Sequence, residues 1–491
     1  TGACSTVSGG AYNTASGCYY STVSGGGNNT ASASHSTVGG GRNNTASGSY
    51  STVSGGGSNT ASGGYSAVGG GCSNQSIGLY SFIGGGITHC AFCQYSTIGG
   101  GFSHNAAGTS ATIAGGYNSD VLAAYGTIAG GSTNCITASG TYSFIGGGSS
   151  NLICGDNSSY ATIGGGCNNT ASNAYTTIAG GKNNLITGQR SFVGGGYLNI
   201  ITGQYSTIGA GSSNCATNTY STVSGGAYNT SSGYISAIGG GCCNIANASL
   251  STIGGGRLNC ATGAFSTVSG GCCNRACGNC STVSGGQFNT ASASLSTVSG
   301  GYCNITNARH SIISGGHRNI IQSPTNECCS RGATIGGGIG HNSSGGTLNA
   351  NTGDLTGTIT CCNAGAFSTI GGGLRNIATG NCSTVSGGLA NTASSNGSIV
   401  GGGSSNSASA FYSTISGGRD NTASAYYSTV SGGCNNTASA YYSTVSGGRD
   451  NTASAYYSTV SGGYCNTASE TSSTVSGGYS NAASETSSTV S

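Results

Sequence analysis

The chain has no methionine, no tryptophan and a single proline, Pro324, in 491 residues. Charged residues make up 4% of it, against ~25% in an ordinary soluble domain. Eleven Lys and Arg against eight Asp and Glu give a formal net charge of +3, and the cations form no run. Nucleic-acid binders concentrate cations on one face, so no nucleic acid is expected as a partner. No apolar run reaches the ~18 residues of a membrane-crossing helix, so no membrane span is expected in this segment. One proline, and no glycine at every third position, exclude a collagen-like helix. Length alone would suggest about three globular domains, yet nothing in the composition supports that division.

Glycine is abundant instead, at 98 positions. A chain rich in Gly and Ser can be a flexible linker, but linkers do not place aliphatic residues at a fixed period. This chain does. In its tail, Tyr427 to Gly433, Tyr442 to Gly448 and Tyr457 to Gly463 are the same phrase, YSTVSGG. A fixed period is the signature of a repeat architecture. Taking the Val or Ile of each such phrase as column zero gives 31 entries, including Val7, Val23, Val38, Val53, Val430, Val445, Val460 and Val475. Of the 30 intervals between them, 25 are fifteen residues.

The other columns follow. Gly-Gly stands at plus two and plus three, replaced once by Ala210-Gly211. Asn occupies plus six in 26 of 30 repeats, among them Asn13, Asn29, Asn44, Asn59, Asn74, Asn421, Asn436, Asn451, Asn466 and Asn481. His89, His104 and His341 replace it three times and Ser119 once. Ala is commonest at plus eight, and Tyr at minus three. β-branched residues suit a buried, pleated position, and Gly-Gly lets the chain turn sharply. YSTVS and NTAS read as strands of four or five residues. The pattern therefore predicts an all-β protein, a parallel β-solenoid or β-roll of about 30 coils of fifteen residues, with two short strands per coil. Coils at ~4.8 Å would make a rod on the order of 150 Å long. Stacked amides of the Asn column are expected to hydrogen-bond from coil to coil, and His keeps a donor and an acceptor there.

Regular repeats fill 1–319 and 367–491, and 320–366 reads as an irregular excursion within the solenoid. It carries Pro324, Cys328-Cys329 and Cys361-Cys362, and such insertions leave on one face, often the binding face. Cysteine occurs 24 times but not in the same column of neighbouring repeats, so no ladder of disulfides is encoded; the count itself leans toward an oxidising, extracellular compartment. Plus seven is Thr in the regular ends but apolar at Leu152, Leu185, Ile200, Ile245, Ile305, Ile320 and Ile377. If plus eight points inward, this stripe faces out as a lateral interface; if the strand is rotated, it is core. The chain opens on Thr1 within a repeat, and a leader, caps or anchor are expected outside this stretch.

The phrase from Asn44 to Gly56, NTASGSYSTVSGG, resembles the head repeats of trimeric autotransporter adhesins and similar repeats of phage and viral fibres. The likeness covers nearly the whole chain outside roughly 320–366. It implies a left-handed parallel β-roll, packing as trimers, on a cell surface or virion. The cysteines, the Gly-Gly-Gly turns and the lack of a coiled-coil stalk or membrane anchor depart from that pattern.

Chemistry is sparsely encoded. The glycine-rich stretches lack the Gly-Lys-Ser/Thr of a phosphate loop, and eight scattered carboxylates give no acid–base pair. No enzyme and no cofactor is expected. His89, Cys90, Cys93 and His104 have metal-like ligand types, although the two His already serve the Asn column, and no metal is expected there. Asn28, Asn43, Asn168 and Asn435 open Asn-x-Thr sequons, which accept glycans if the chain passes a eukaryotic secretory route.

Three functions are weighed. The first is a structural rod, an extracellular fibre or filament subunit that self-associates head to tail or laterally. The second is an adhesin head or viral fibre shaft binding a cell-surface receptor or glycan through its Tyr columns and the excursion. The third is an ice-binding face made by Thr at minus one, present in 24 of 31 repeats.

Overall fold

The computed structural model describes residues 3–323, 329–344 and 365–491, with the backbone of 347–348 and 355–356. The protein is all-β, with no helix among the described residues, and forms a parallel β-solenoid of about 31 turns. It divides into two compact units, Thr1–Ile235 and Ser236–Ser491.

In the first unit the zero column forms one parallel ladder, from Thr6–Val7 and Thr22–Val23 to Thr222–Val223, with each minus-one residue opposite the next and each Val or Ile opposite a Val or Ile. A second ladder joins the plus-seven and plus-eight columns, from Thr14–Ala15 to Thr230–Ser231. A third, absent from the two-strand expectation, is one residue wide: Ala11, Gly27, Arg42, Gly57 and Cys72 bridge in turn at plus four. The second unit repeats all three, with its zero column running from Ala237–Ile238 to Thr489–Val490.

The strands are two residues long, shorter than the four or five that the sequence suggests. Two columns interrupt them. Minus three (Tyr50 at φ 60°, Tyr65 at 56°) and plus five (Asn43 at 58°, Ser58 at 56°) are left-handed in coil after coil. A left-handed residue turns its N–H the other way along the stack. Thr52 N–H donates to Ser66 of the following coil, whereas Tyr50 N–H donates to Ser34 of the preceding one.

The two glycines of Gly-Gly have different duties. Gly41, at plus three, has φ +86°, and a Cβ there would lie 2.1 Å from the Gly56 carbonyl oxygen. Gly40, at plus two, would meet nothing within 4 Å. The one natural exception, Ala210, falls at plus two, where a methyl group has room.

Four columns face inward in the coils between the ends, Ser at minus two, Val or Ile at zero, Asn at plus six and Ala at plus eight, and a small residue at plus ten, such as Gly48, Gly63 or Ala123, is buried beside them in many coils. Two of these columns, Ser and Asn, are polar, and their side chains need hydrogen-bond partners. Plus seven lies on the opposite side of its strand. Ile245 and Ile305 are exposed there, Leu152, Leu185, Ile200 and Ile377 are half-buried, and Ile320 alone is buried. The strand is thus not rotated at these coils, and the apolar stripe faces out except at Ile320.

The excursion rejoins the stack midway. Thr334–Ile335 pairs with Ile312–Ile313 on one side and Thr369–Ile370 on the other, in unbroken column register. Thr347–Leu348 and Leu355–Thr356 form an antiparallel pair beside them in sequence. Cys329 is disulfide-bonded. Pro324, Cys328, Cys361 and Cys362 lie outside the described residues.

Candidate functional site

The chemistry of this protein is distributed along columns. At plus six each Asn serves its own coil and the next. Asn44 Nδ2 donates to the Gly40 carbonyl of its own turn at 2.8 Å and to Gly56 of the following coil at 2.9 Å. Its Oδ1 accepts the Asn59 backbone N–H at 2.9 Å. The same three contacts recur at Asn29, Asn274, Asn436 and Asn451. Asn13, Asn59, Asn74, Asn421, Asn466 and Asn481 hold the same column. The link between coils runs from side chain to backbone; amide-to-amide contacts such as Asn184 Nδ2 to Asn169 Oδ1, 3.1 Å, are the exception.

Histidine enters this column as an acceptor. Nδ1 of His89 accepts the His104 N–H at 3.1 Å, Nδ1 of His104 accepts the Ser119 N–H at 3.1 Å, and His341 does the same for Asn376 at 3.0 Å. The hydrogen of each neutral ring then sits on Nε2, which is buried. Burial, and then the neighbouring His104, push His89 down to about 4. Burial also lowers His104 and His341.

The two rings of His89 and His104 stack at 5.0 Å. Cys90 lies on the outward side of the strand Cys90–Ala91, and burial raises its thiol. Cys93 sits in the turn that follows. The structure thus brings the two histidines together without joining the cysteines to them. Among the described residues no group of three or more His, Cys, Asp or Glu side chains could hold a metal ion.

Asn28, Asn43, Asn168 and Asn435 are exposed, all at the left-handed plus-five position. Two of these amides already reach along the stack, Asn168 Nδ2 to Asn183 Oδ1 at 2.8 Å and Asn435 Nδ2 to Asp450 Oδ1 at 2.7 Å. Sequence reasoning treated this column as turn sequons and missed its backbone conformation. Its richness in Asn, Ser and Asp was the available signal, because short polar side chains tolerate the left-handed region.

The Tyr column is an exposed aromatic feature. Tyr50, Tyr65, Tyr80 and Tyr95 stack face to face at 4.8, 4.8 and 5.4 Å. Arg190 takes the Tyr position once, its guanidinium 5.6 Å from the Tyr175 ring centroid and 5.3 Å from that of Tyr205. In the second unit two aromatic columns run side by side: Tyr412, Tyr427, Tyr442 and Tyr457 beside Phe411, Tyr426, Tyr441 and Tyr456. Along the Thr column, Phe82, Phe144, Phe192, Ile312 and Ile399 are exposed and interrupt the face.

Among the described residues no helix is long and apolar enough to cross a membrane. No family model matches the chain, and no curated protein matches its sequence.

Proposed function

We propose that this chain is a structural repeat protein, a subunit of an extracellular fibre or filament built by coil stacking, with self-association head to tail or side to side. The observation that carries the reading is the indifference of each coil to which coil covers it. Ile312–Ile313 accepts Thr334–Ile335 across an interval of 22 residues, and that coil accepts Thr369–Ile370 across 35, in the same register as a fifteen-residue neighbour. A coil from a second copy offers the same columns. A contact of this kind is heterologous and, when it does not close, propagates. The proposal assigns no catalysis: the two Arg–Asp pairs at 3.3 and 3.2 Å are turn contacts with exposed Arg side chains.

Electron microscopy of the purified protein over a rising concentration series tests this. Filaments or laterally ordered bundles are expected. Dispersed single particles at every concentration would overturn it.

A second reading rests on the exposed aromatic columns: a binding surface for a receptor or glycan on a cell. Tyr is a favoured contact residue. A glycan and cell-binding array with multivalent protein tests it, with loss of signal expected for Tyr427→Ala plus Tyr442→Ala; no binding by the parent protein would remove it.

A further inference from the structure

We propose that the adjacent pairs Cys242–Cys243 and Cys272–Cys273 are two matched dithiol sites for a thiophilic three-coordinate centre, the class to which trivalent arsenicals belong. Neighbouring side chains in a strand point to opposite faces. At plus four and plus five of this repeat they do not, because the second residue is left-handed: Cys243 and Cys273 both have φ 58°. The sulfur atoms of each pair lie 3.1 Å apart.

This convergence belongs to the turn rather than to cysteine. The same fork appears at other coils that carry heteroatoms at both positions. Cys72 Sγ and Ser73 Oγ are 3.5 Å apart, Ser149 and Ser150 hydroxyls 3.4 Å, and Ser212 and Ser213 hydroxyls 3.5 Å. Arg449 meets Asp450 there at 3.2 Å. A coil that places cysteine at both prongs therefore presents a preformed dithiol, and preorganisation is what favours chelation over two separate encounters.

Both pairs are half-buried and reachable from solvent. Arg257 bridges between Cys242 and Cys272 on the intervening coil. The hydrogen bond shared with Cys242, with burial, pushes the Cys243 thiol up, and Arg257 draws it down; Cys273 is held the same way by Cys272 and Arg257. Two sulfurs on one side do not make a tetrahedral zinc site, which needs four ligands. They complete a pyramidal centre that brings its own third substituent. With an organoarsenic oxide, two S–H and one As=O become two As–S bonds and one water. Both thiol protons leave on the oxide oxygen, and no electrons are exchanged.

The test uses the full chain after mild reduction, treated with phenylarsine oxide in the presence of excess monothiol, which strips adducts held by one sulfur. Intact mass then counts the chelates that remain. The parent protein is expected to carry two more adducts than Cys243→Ser plus Cys273→Ser, and each single variant one fewer than the parent. Subtraction removes any contribution from the cysteines of 320–366. A gain variant guards against misfolding of the losses: Ser212→Cys plus Ser213→Cys is expected to add one adduct. An unchanged adduct count in the double loss variant, or any difference smaller than two, overturns the proposal, as does a gain variant that adds none.

Discussion

Asn44 joins two turns of chain with one side chain, and its contacts set what its removal does. Asn44→Ala would leave the buried Asn59 N–H without an acceptor and the Gly40 and Gly56 carbonyls without that donor. An orphaned buried group costs about 1–3 kcal/mol. In a repeat protein that loss is felt locally, so faster hydrogen exchange in the coils of Asn44 and Asn59 is expected, with distant coils unchanged. Asn44→His should cost less, because Nδ1 can accept the Asn59 N–H as it does at His89. The glycines give a sharper contrast. Gly41→Ala drives a methyl into the Gly56 carbonyl and is expected to prevent that coil from forming, whereas Gly40→Ala should change unfolding by no more than ~0.5 kcal/mol. Comparing the two by hydrogen exchange separates a turn that needs glycine from one that merely contains it.

The histidines make stability depend on pH. A His lowered in the folded state is neutral there and takes up a proton on unfolding. Its contribution is complete above the unfolded value, ~6.5, and is lost as pH falls toward about 4 for His89. Asp120 opposes it in part: burial raises its carboxyl, with His104 pulling it down, so its folded form is favoured as pH falls. Replacing His89→Asn and His104→Asn together should shrink the difference in urea stability between about pH 7 and about pH 4.5. An equal difference in parent and variant would show that these rings do not titrate on unfolding.

At the scale of the element, the aromatic columns add to what the backbone ladders supply. Tyr442 stacks on Tyr427 and Tyr457, both at 5.0 Å, and packs against Tyr441 and Tyr456 beside it. Stacked pairs contribute roughly 0.5–1.5 kcal/mol beyond their buried area. Tyr442→Ala is therefore expected to loosen its own coil and both neighbours by about 1–2 kcal/mol, while Tyr442→Phe leaves hydrogen exchange there unchanged. The Tyr column was visible in the sequence as a residue type, but its left-handed backbone was not, since Tyr is an uncommon occupant of that region. Strand length failed for the same reason: alternation in YSTVS and NTAS says which side chains face in, not where the ladder bonds reverse. The one-residue ladder at plus four was illegible because its occupants, from Gly27 and Arg42 to Cys72, share no side-chain chemistry. Only backbone position unites them.

At the scale of the whole molecule, period was the legible quantity. The zero, plus-two, plus-three and plus-six columns each keep one residue type or a near substitute because each occupies one site, repeated. Length between coils is free and phase is not. Deleting 431–445 removes one full period and returns every column to register, so an unchanged circular dichroism spectrum per residue is expected. Deleting 431–437 puts inward side chains on the outward face of the strands that follow, and protease cleavage near residue 430 is expected in that variant alone.

The direction of the bonds has a consequence of its own. Strand N–H groups and Asn amides reach toward the coil that comes later in the chain, as Thr52 does to Ser66 and Asn44 to Gly56. The left-handed columns and the Asn backbone N–H groups point back to the earlier coil, as Tyr50 does to Ser34 and Asn59 to Asn44, so the forward set belongs to the strands and the Asn side chains. Synthesis runs the same way, so each newly made turn arrives at a template whose donors are already in place, and assembly can keep pace with translation like a zip closed from its fixed end.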